Sequence, residues 1–152
     1  MTETSTTFDV ANFRGELLQF ITESKFLMAV SMGQDGYPMA RTLGYLNDEF
    51  AIWLYTTTNS LKIRQFRASP KITLLWRENT PQFFKFLTMK GNLELFEDQE
   101  TIDQVWERYQ DKYPQMRGRQ TELLQQVVIK VTPIYLRAEG FGVAPPPVLR
   151  EF

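Results

Sequence analysis

Six apolar runs of strand length, each closed by turn residues, confine this sequence to a mainly β fold with inserted helices. The runs are 25–32 (KFLMAVSM), 39–46 (MARTLGYL), 50–57 (FAIWLYTT), 71–76 (KITLLW), 83–96 and 126–141. Residues 33–38 (GQDGYP) have hairpin chemistry, with glycine for positive φ, Asp-Gly for the turn and proline to stop the ladder. Residues 47–49 (NDE) read as a second short turn, so the first three runs predict an antiparallel meander. Gly91 predicts a bend in the fifth run, and Pro133 predicts an edge or a bulge in the sixth.

Helical spacing occurs twice. Phe13, Leu17, Phe20 and Ile21 form one stripe behind a candidate N-cap, Asp9. Ile102, Val105, Trp106 and Tyr109 form another over 98–113, which Pro114 ends, with Glu97, Asp98 and Glu100 placed to cap it and complement its dipole. A short helix is predicted over 59–67, ended by Ser69-Pro70. The sum is a small, mostly antiparallel barrel in one domain, 1–152, whose closure would remove apolar sheet edges. Residues 1–8 read as a loose tail. Residues 142–152 read as a stiff Pro-rich arm, either free or folded over a partner subunit.

Composition narrows the chemistry. Lysine plus arginine is 17 against 18 acidic residues, a net charge of −1, which argues against general nucleic-acid binding. There is no cysteine and no histidine. Disulfides, Cys/His zinc sites, His-based nucleophilic units and histidine-ligated heme are therefore excluded. The polar start lacks the basic and apolar segments of a signal peptide, and no apolar run reaches transmembrane length. These features fit a cytoplasmic protein that does not engage a membrane. The aromatic residues Phe83, Phe84 and Phe86 read as barrel core or a dimer interface, and Trp76 and Trp106 as packing residues.

One stretch gathers polar groups at a strand-to-helix junction: LYTTTNSLKIRQFRASP, residues 54–70. Asn59 or Ser60 is a natural N-cap, and the helix start behind it offers unpaired N–H groups and partial positive charge. Ser60 adds a hydroxyl and Lys62 an ammonium, and Arg41 is placed to add a guanidinium from the neighbouring strand. Such a set suits a phosphate monoester. The same residues also fit ordinary strand, cap and helix-surface roles, since no GxxxxGK[ST] or GxGxxG is present.

Gly36, Pro38, Arg41, Tyr55, Thr56, Ser60, Lys62 and Pro70, in that order, resemble the pattern of the pyridoxamine 5'-phosphate oxidase-like superfamily, including its general stress-type flavoproteins. The resemblance is carried by residues 25–96 and, by strand order, reaches about 137. It implies a six-stranded split β-barrel with flanking helices, FMN as cofactor, and a homodimer with the cofactor between subunits. It also implies that Arg41 and Lys62, helped by Ser60, hold the FMN phosphate. Thr42 and Leu43 would line the flavin with backbone groups, and Tyr55 and Thr56 would border its ring through their main chain.

The chain departs from the family's vitamin-converting oxidases at Leu61, where they carry arginine, and at Phe86, where a glutamine reaches the flavin. Their C-terminal Trp and Arg segment has no counterpart. The expectation is thus an FMN-dependent oxidoreductase with an unassigned small-molecule substrate, rather than a true pyridoxamine phosphate oxidase. The alternatives are a non-catalytic flavin store or stress module, a deazaflavin-binding reductase, and a dimer with an empty cleft. No catalytic residue is assigned and no metal is expected.

Overall fold

The computed structural model describes residues 9–33, 35–57, 67, 69–79, 84–119 and 126–152. Helix α1 (Val10–Glu23) opens on Asp9, whose side chain accepts from the Asn12 amide at 3.1 Å. Strands follow as β1 (Leu27–Met32), β2 (Pro38–Leu43), β3 (Leu46–Asp48), β4 (Ala51–Thr57), β5 (Lys71–Asn79) and β6 (Phe84–Phe96). Helix α2 (Gln99–Lys112), strand β7 (Gln126–Glu139) and strand β8 (Val148–Leu149) complete the order. The predicted helix over 59–67 lies outside the described residues except for Arg67, which ion-pairs with Glu97.

All the strands join one antiparallel sheet in the order β2-β1-β5-β6-β7-β4-β3, with β8 added to β7. The fold is the α+β split barrel that the sequence led us to expect. Among the described residues eight strands stand where six apolar runs were read, and their ladder is an open path rather than a closed ring.

The predicted meander is corrected by this order. The β1–β2 hairpin forms, with Gly36 at φ 83° and the Asp35 carboxylate accepting from the Tyr37 amide. The second run, read as one strand over 39–46, instead breaks at Gly44-Tyr45. Its first part pairs with β1 at one end of the sheet, and its remainder, β3, pairs with β4 at the other. Arg41 is therefore not on a strand next to β4. Asn47 and Asp48 belong to β3, and the turn falls at Glu49, which takes φ 53°.

Alternation sorts the strands into two faces. The row Arg41–Ala29–Leu74–Met89 faces inward, and Ala29, Leu74 and Met89 are buried. α1 lays Phe13, Leu17, Phe20 and Ile21 over the same core. The row Thr42–Met28–Leu75–Thr88 faces outward, next to Met32 and the Phe84–Phe86 pair. Met28, Met32, Phe84 and Phe86 are all exposed. Phe84 and Phe86 are thus not barrel core in the described chain. Their rings lie 5.9 Å apart, tilted by 40°, beneath the Arg77 guanidinium.

Gly91 and Pro133 meet at a bulge, with the register shifting between Lys90 and Gly91. A Cβ at Gly91 would stand 2.8 Å from the Thr132 carbonyl oxygen, so glycine is needed for the strands to approach there. The C-terminal arm does not hang free but packs along its own chain. β8 pairs with Leu136 and Arg137 of β7, Leu149 is buried, and Phe152 packs on Phe50 beside Arg14. The arm covers the edge that β7 exposes beyond its pairing with β4, which ends at Val131.

Candidate functional site

The two ends of the sheet are joined by only two residues, Gly44 and Tyr45. Leu43 and Leu46 can be no more than ~11 Å apart, so the sheet must curl until its end strands meet at this corner. From the corner the strands diverge. β4 pairs with β3 only through Ala51–Trp53, leaving 54–57 with β7 on one side and no described strand on the other. β2 likewise has β1 on one side and no described strand on the other. Among the described residues two strand edges without a strand partner therefore flank one split, and backbone N–H and C=O groups on such edges can serve a ligand.

Five predicted site residues lie along this split: Arg41, Thr42 and Leu43 on β2, and Tyr55 and Thr56 on β4. Ser60 and Lys62, the rest of the predicted phosphate set, lie outside the described residues.

Arg41 has the most telling environment. It projects from the inward row, where its ladder neighbours are apolar and buried. Both of its terminal nitrogens are buried, and neither has a hydrogen-bond partner among the described residues. Burial lowers its pKa from the ordinary arginine value, which still leaves it a cation. A guanidinium taken from water without an acceptor is costly, and a bound anion is the simplest compensation.

Tyr55 turns its ring away from the split edge towards α2. Its hydroxyl donates to the Ile102 carbonyl at 3.0 Å, and the ring meets Trp106 and Tyr109 edge-on. Its main chain remains on the free edge of β4.

A cluster at the corner escaped the sequence reading. A Cβ at Gly44 would stand 2.7 Å from the Tyr109 hydroxyl and 3.2 Å from that of Tyr113, so any side chain there would force these rings to move. The Tyr113 hydroxyl accepts from the Tyr45 amide at 2.9 Å and donates to the Lys25 carbonyl at 2.5 Å. Tyr45 is fully buried. Its hydroxyl donates to the Ile21 carbonyl and accepts from the Trp76 indole at 3.0 Å. The Lys112 ammonium sits 3.7 Å over the Tyr45 ring, buried and without a hydrogen-bond acceptor. The sequence signal for this cluster was the Trp106–Tyr109–Tyr113 stripe on α2, whose spacing puts three rings on one helix face.

The cluster predicts a stability maximum on the alkaline side. Burial, reinforced by Lys25, lowers the Lys112 pKa to about 8 from 10.5. Between those values the unfolded chain holds the proton more tightly, so stability rises as pH climbs through that window. Burial raises the phenol pKa of Tyr45, Tyr55, Tyr109 and Tyr113, the last to about 12. Stability tied to those phenols is complete below 10 and declines as pH rises through their folded-state values. Thermal unfolding across the alkaline range should therefore rise and then fall. In Lys112→Met the rise should be absent and the fall retained.

The described fold is a small α+β split barrel. A family model described as pyridoxamine 5'-phosphate oxidase matches residues 13–139, and the chain belongs to that family.

Solved structures share the fold. Protein Rv2991 of Mycobacterium tuberculosis is 19% identical, with 91% of this chain and 88% of that one covered at a TM-score of 0.73. A Clostridium acetobutylicum protein related to general stress protein 26 of Bacillus subtilis is 18% identical, with 94% and 96% covered at 0.72. HutZ, the heme storage protein of Vibrio cholerae, is 15% identical, with 78% and 88% covered at 0.65. At such identities the likeness is one of fold alone. No curated protein matches the chain.

Proposed function

We propose that the split between β2 and β4 binds FMN, and that the protein is a homodimeric flavin-dependent oxidoreductase. The observation that carries this reading is the buried, unpartnered guanidinium of Arg41 beside two free strand edges. Arg41 would hold the terminal phosphate together with Ser60 and Lys62. The backbone edges at Thr42–Leu43 and Tyr55–Thr56 would fix the plane of the ring. A bound flavin supplies reversible electron and hydride transfer, and the chain supplies position and a dry apolar wall. A second copy of the chain is the natural cover for the outward face bearing Met28, Met32, Phe84 and Phe86, since so continuous an exposed apolar surface marks an interface.

Heme is the second reading, raised by HutZ of Vibrio cholerae and by a heme binding protein of Mycobacterium smegmatis that shares the fold. This chain has no histidine or cysteine, so an axial ligand would have to be methionine or tyrosine. The absence of the two commonest ligands favours flavin.

Absorbance and native mass spectrometry of the purified protein test both readings together. Flavin bands, with a dimer carrying one FMN per chain, are expected. A Soret band, or a monomer that takes up neither FMN nor riboflavin, would overturn the proposal. Bleaching by a reduced nicotinamide nucleotide and recovery in air would separate an oxidoreductase from a flavin store.

A further inference from the structure

Among the described residues Lys112 is the other buried cation without a hydrogen-bond acceptor, and it packs on the corner residue Tyr45. It ends α2, and its Nζ lies 3.7 Å from the centre of the Tyr45 ring and 5.7 Å from that of Tyr113. Tyr45 is itself one of the two corner residues that join the strand bearing Arg41 to the strands bearing Tyr55. Lysines normally extend their heads into water, but this one directs its head onto a buried ring.

The groups around it are few. The corner contributes the Tyr45 phenol, α2 and its end contribute Tyr113, and the α1–β1 link contributes Lys25, whose Nζ donates to the Lys112 carbonyl at 3.3 Å. Among the described residues no carboxylate forms an ion pair with Lys112, so its charge is balanced only by the ring faces.

We infer that Lys112 is a specificity-positioning residue for the split: its uncompensated ammonium behind the corner favours a dianionic over a neutral form of the same ligand, and makes that preference pH-dependent. The inference rests on the flavin reading for its first ligand. The physical reason is linkage. A fixed positive charge in a low-dielectric corner attracts an anion without touching it. Binding of that anion must in turn favour the protonated lysine. The lysine loses its proton near pH 8, far below its usual range, because burial and Lys25 both oppose the charge. The anion's advantage therefore disappears over a mild alkaline step in which arginine and the buried phenols do not titrate.

The test measures FMN and riboflavin affinity by flavin fluorescence at pH 7 and pH 9, on the full chain and on Lys112→Met and Lys112→Arg. FMN affinity of the unaltered protein is expected to fall roughly five- to tenfold over that step, with riboflavin affinity unchanged. Lys112→Met should bind FMN at the weaker level at both pH values. Lys112→Arg, which keeps its charge, should hold the tighter level at both. An unaltered pH slope in Lys112→Met, or the same slope for riboflavin, would overturn the inference.

A second readout stands apart from flavin binding. The Lys112 side chain is titrated by carbon-13 NMR of its Cε, with and without sulfate, against sodium chloride of equal ionic strength. Sulfate should raise the midpoint, and an unmoved midpoint counts against the role. If the protein binds no flavin but sulfate moves the midpoint, the flavin reading fails and the anion-sensing role survives.

Discussion

FMN affinity is expected to fall about a hundredfold in Arg41→Ala, while riboflavin affinity changes less than about threefold. Arg41 offers two buried terminal nitrogens with no acceptor among the described residues. Two charge-assisted hydrogen bonds to a phosphate contribute on the order of 1.5 kcal/mol or more each, and together they account for two decades of affinity. Riboflavin lacks the phosphate and so has nothing to lose. Arg41→Lys should recover only part of the loss, because an ammonium cannot reproduce the planar fork. Arg41→Ala is also expected to fold at least as well as the parent, since a buried cation without a partner among the described residues is removed from an apolar row. The measurement is a pair of titrations with the two flavins on each variant. Equal losses of FMN and riboflavin would mean that the guanidinium supports the fold of the split and not the phosphate.

Gly140→Ala is expected to cost about 3 kcal/mol or more of stability, an unfolding midpoint lower by roughly 6–12 °C. Gly140 follows the last residue of β7 and begins the turn that sends the arm back along the barrel. Its φ is +84°, and a Cβ would stand 2.1 Å from the carbonyl oxygen of Phe84 and 3.2 Å from Cα of Lys85. Those are backbone atoms of β6 and cannot swing aside. Gly142 provides the internal control. It also has positive φ, +78°, but a Cβ there meets nothing within 4 Å. Gly142→Ala should therefore pay only the left-handed backbone cost, about 1 kcal/mol. If the two variants melt together, the close approach of β7 to β6 at Phe84 is not what demands glycine at 140.

Several elements were legible before folding because their signals are local. The α1 stripe, the Asp9 cap, the Gly36 turn and the Asp98 cap of α2 each depend on residues within one or two helical turns. The bulge at Gly91 and Pro133 was legible too, because proline cannot donate to a ladder and glycine leaves room for one. The ladder order was not legible. Residues 39–46 carry a continuous strand pattern, yet at Gly44-Tyr45 the chain leaves one end of the sheet for the other. The reason lies 65 and more residues downstream, in the hydroxyls of Tyr109 and Tyr113 that press on the corner. The Pro-rich arm was equally opaque, since its docking depends on a β7 edge that the shorter β4 leaves uncovered.

The amino-acid order by itself determined the segment types, the exclusion of histidine and cysteine chemistry, and the family pattern running from Gly36 to Pro70. Those properties reside in side-chain identity and short-range spacing. Tertiary structure alone decided that Arg41 faces inward with its charge unmet, that two free edges flank one split, and that Lys112 lies on Tyr45 at its corner. These depend on which distant surfaces exclude water from a cation, and burial of that kind comes into being only when the sheet curls and the helix closes over it.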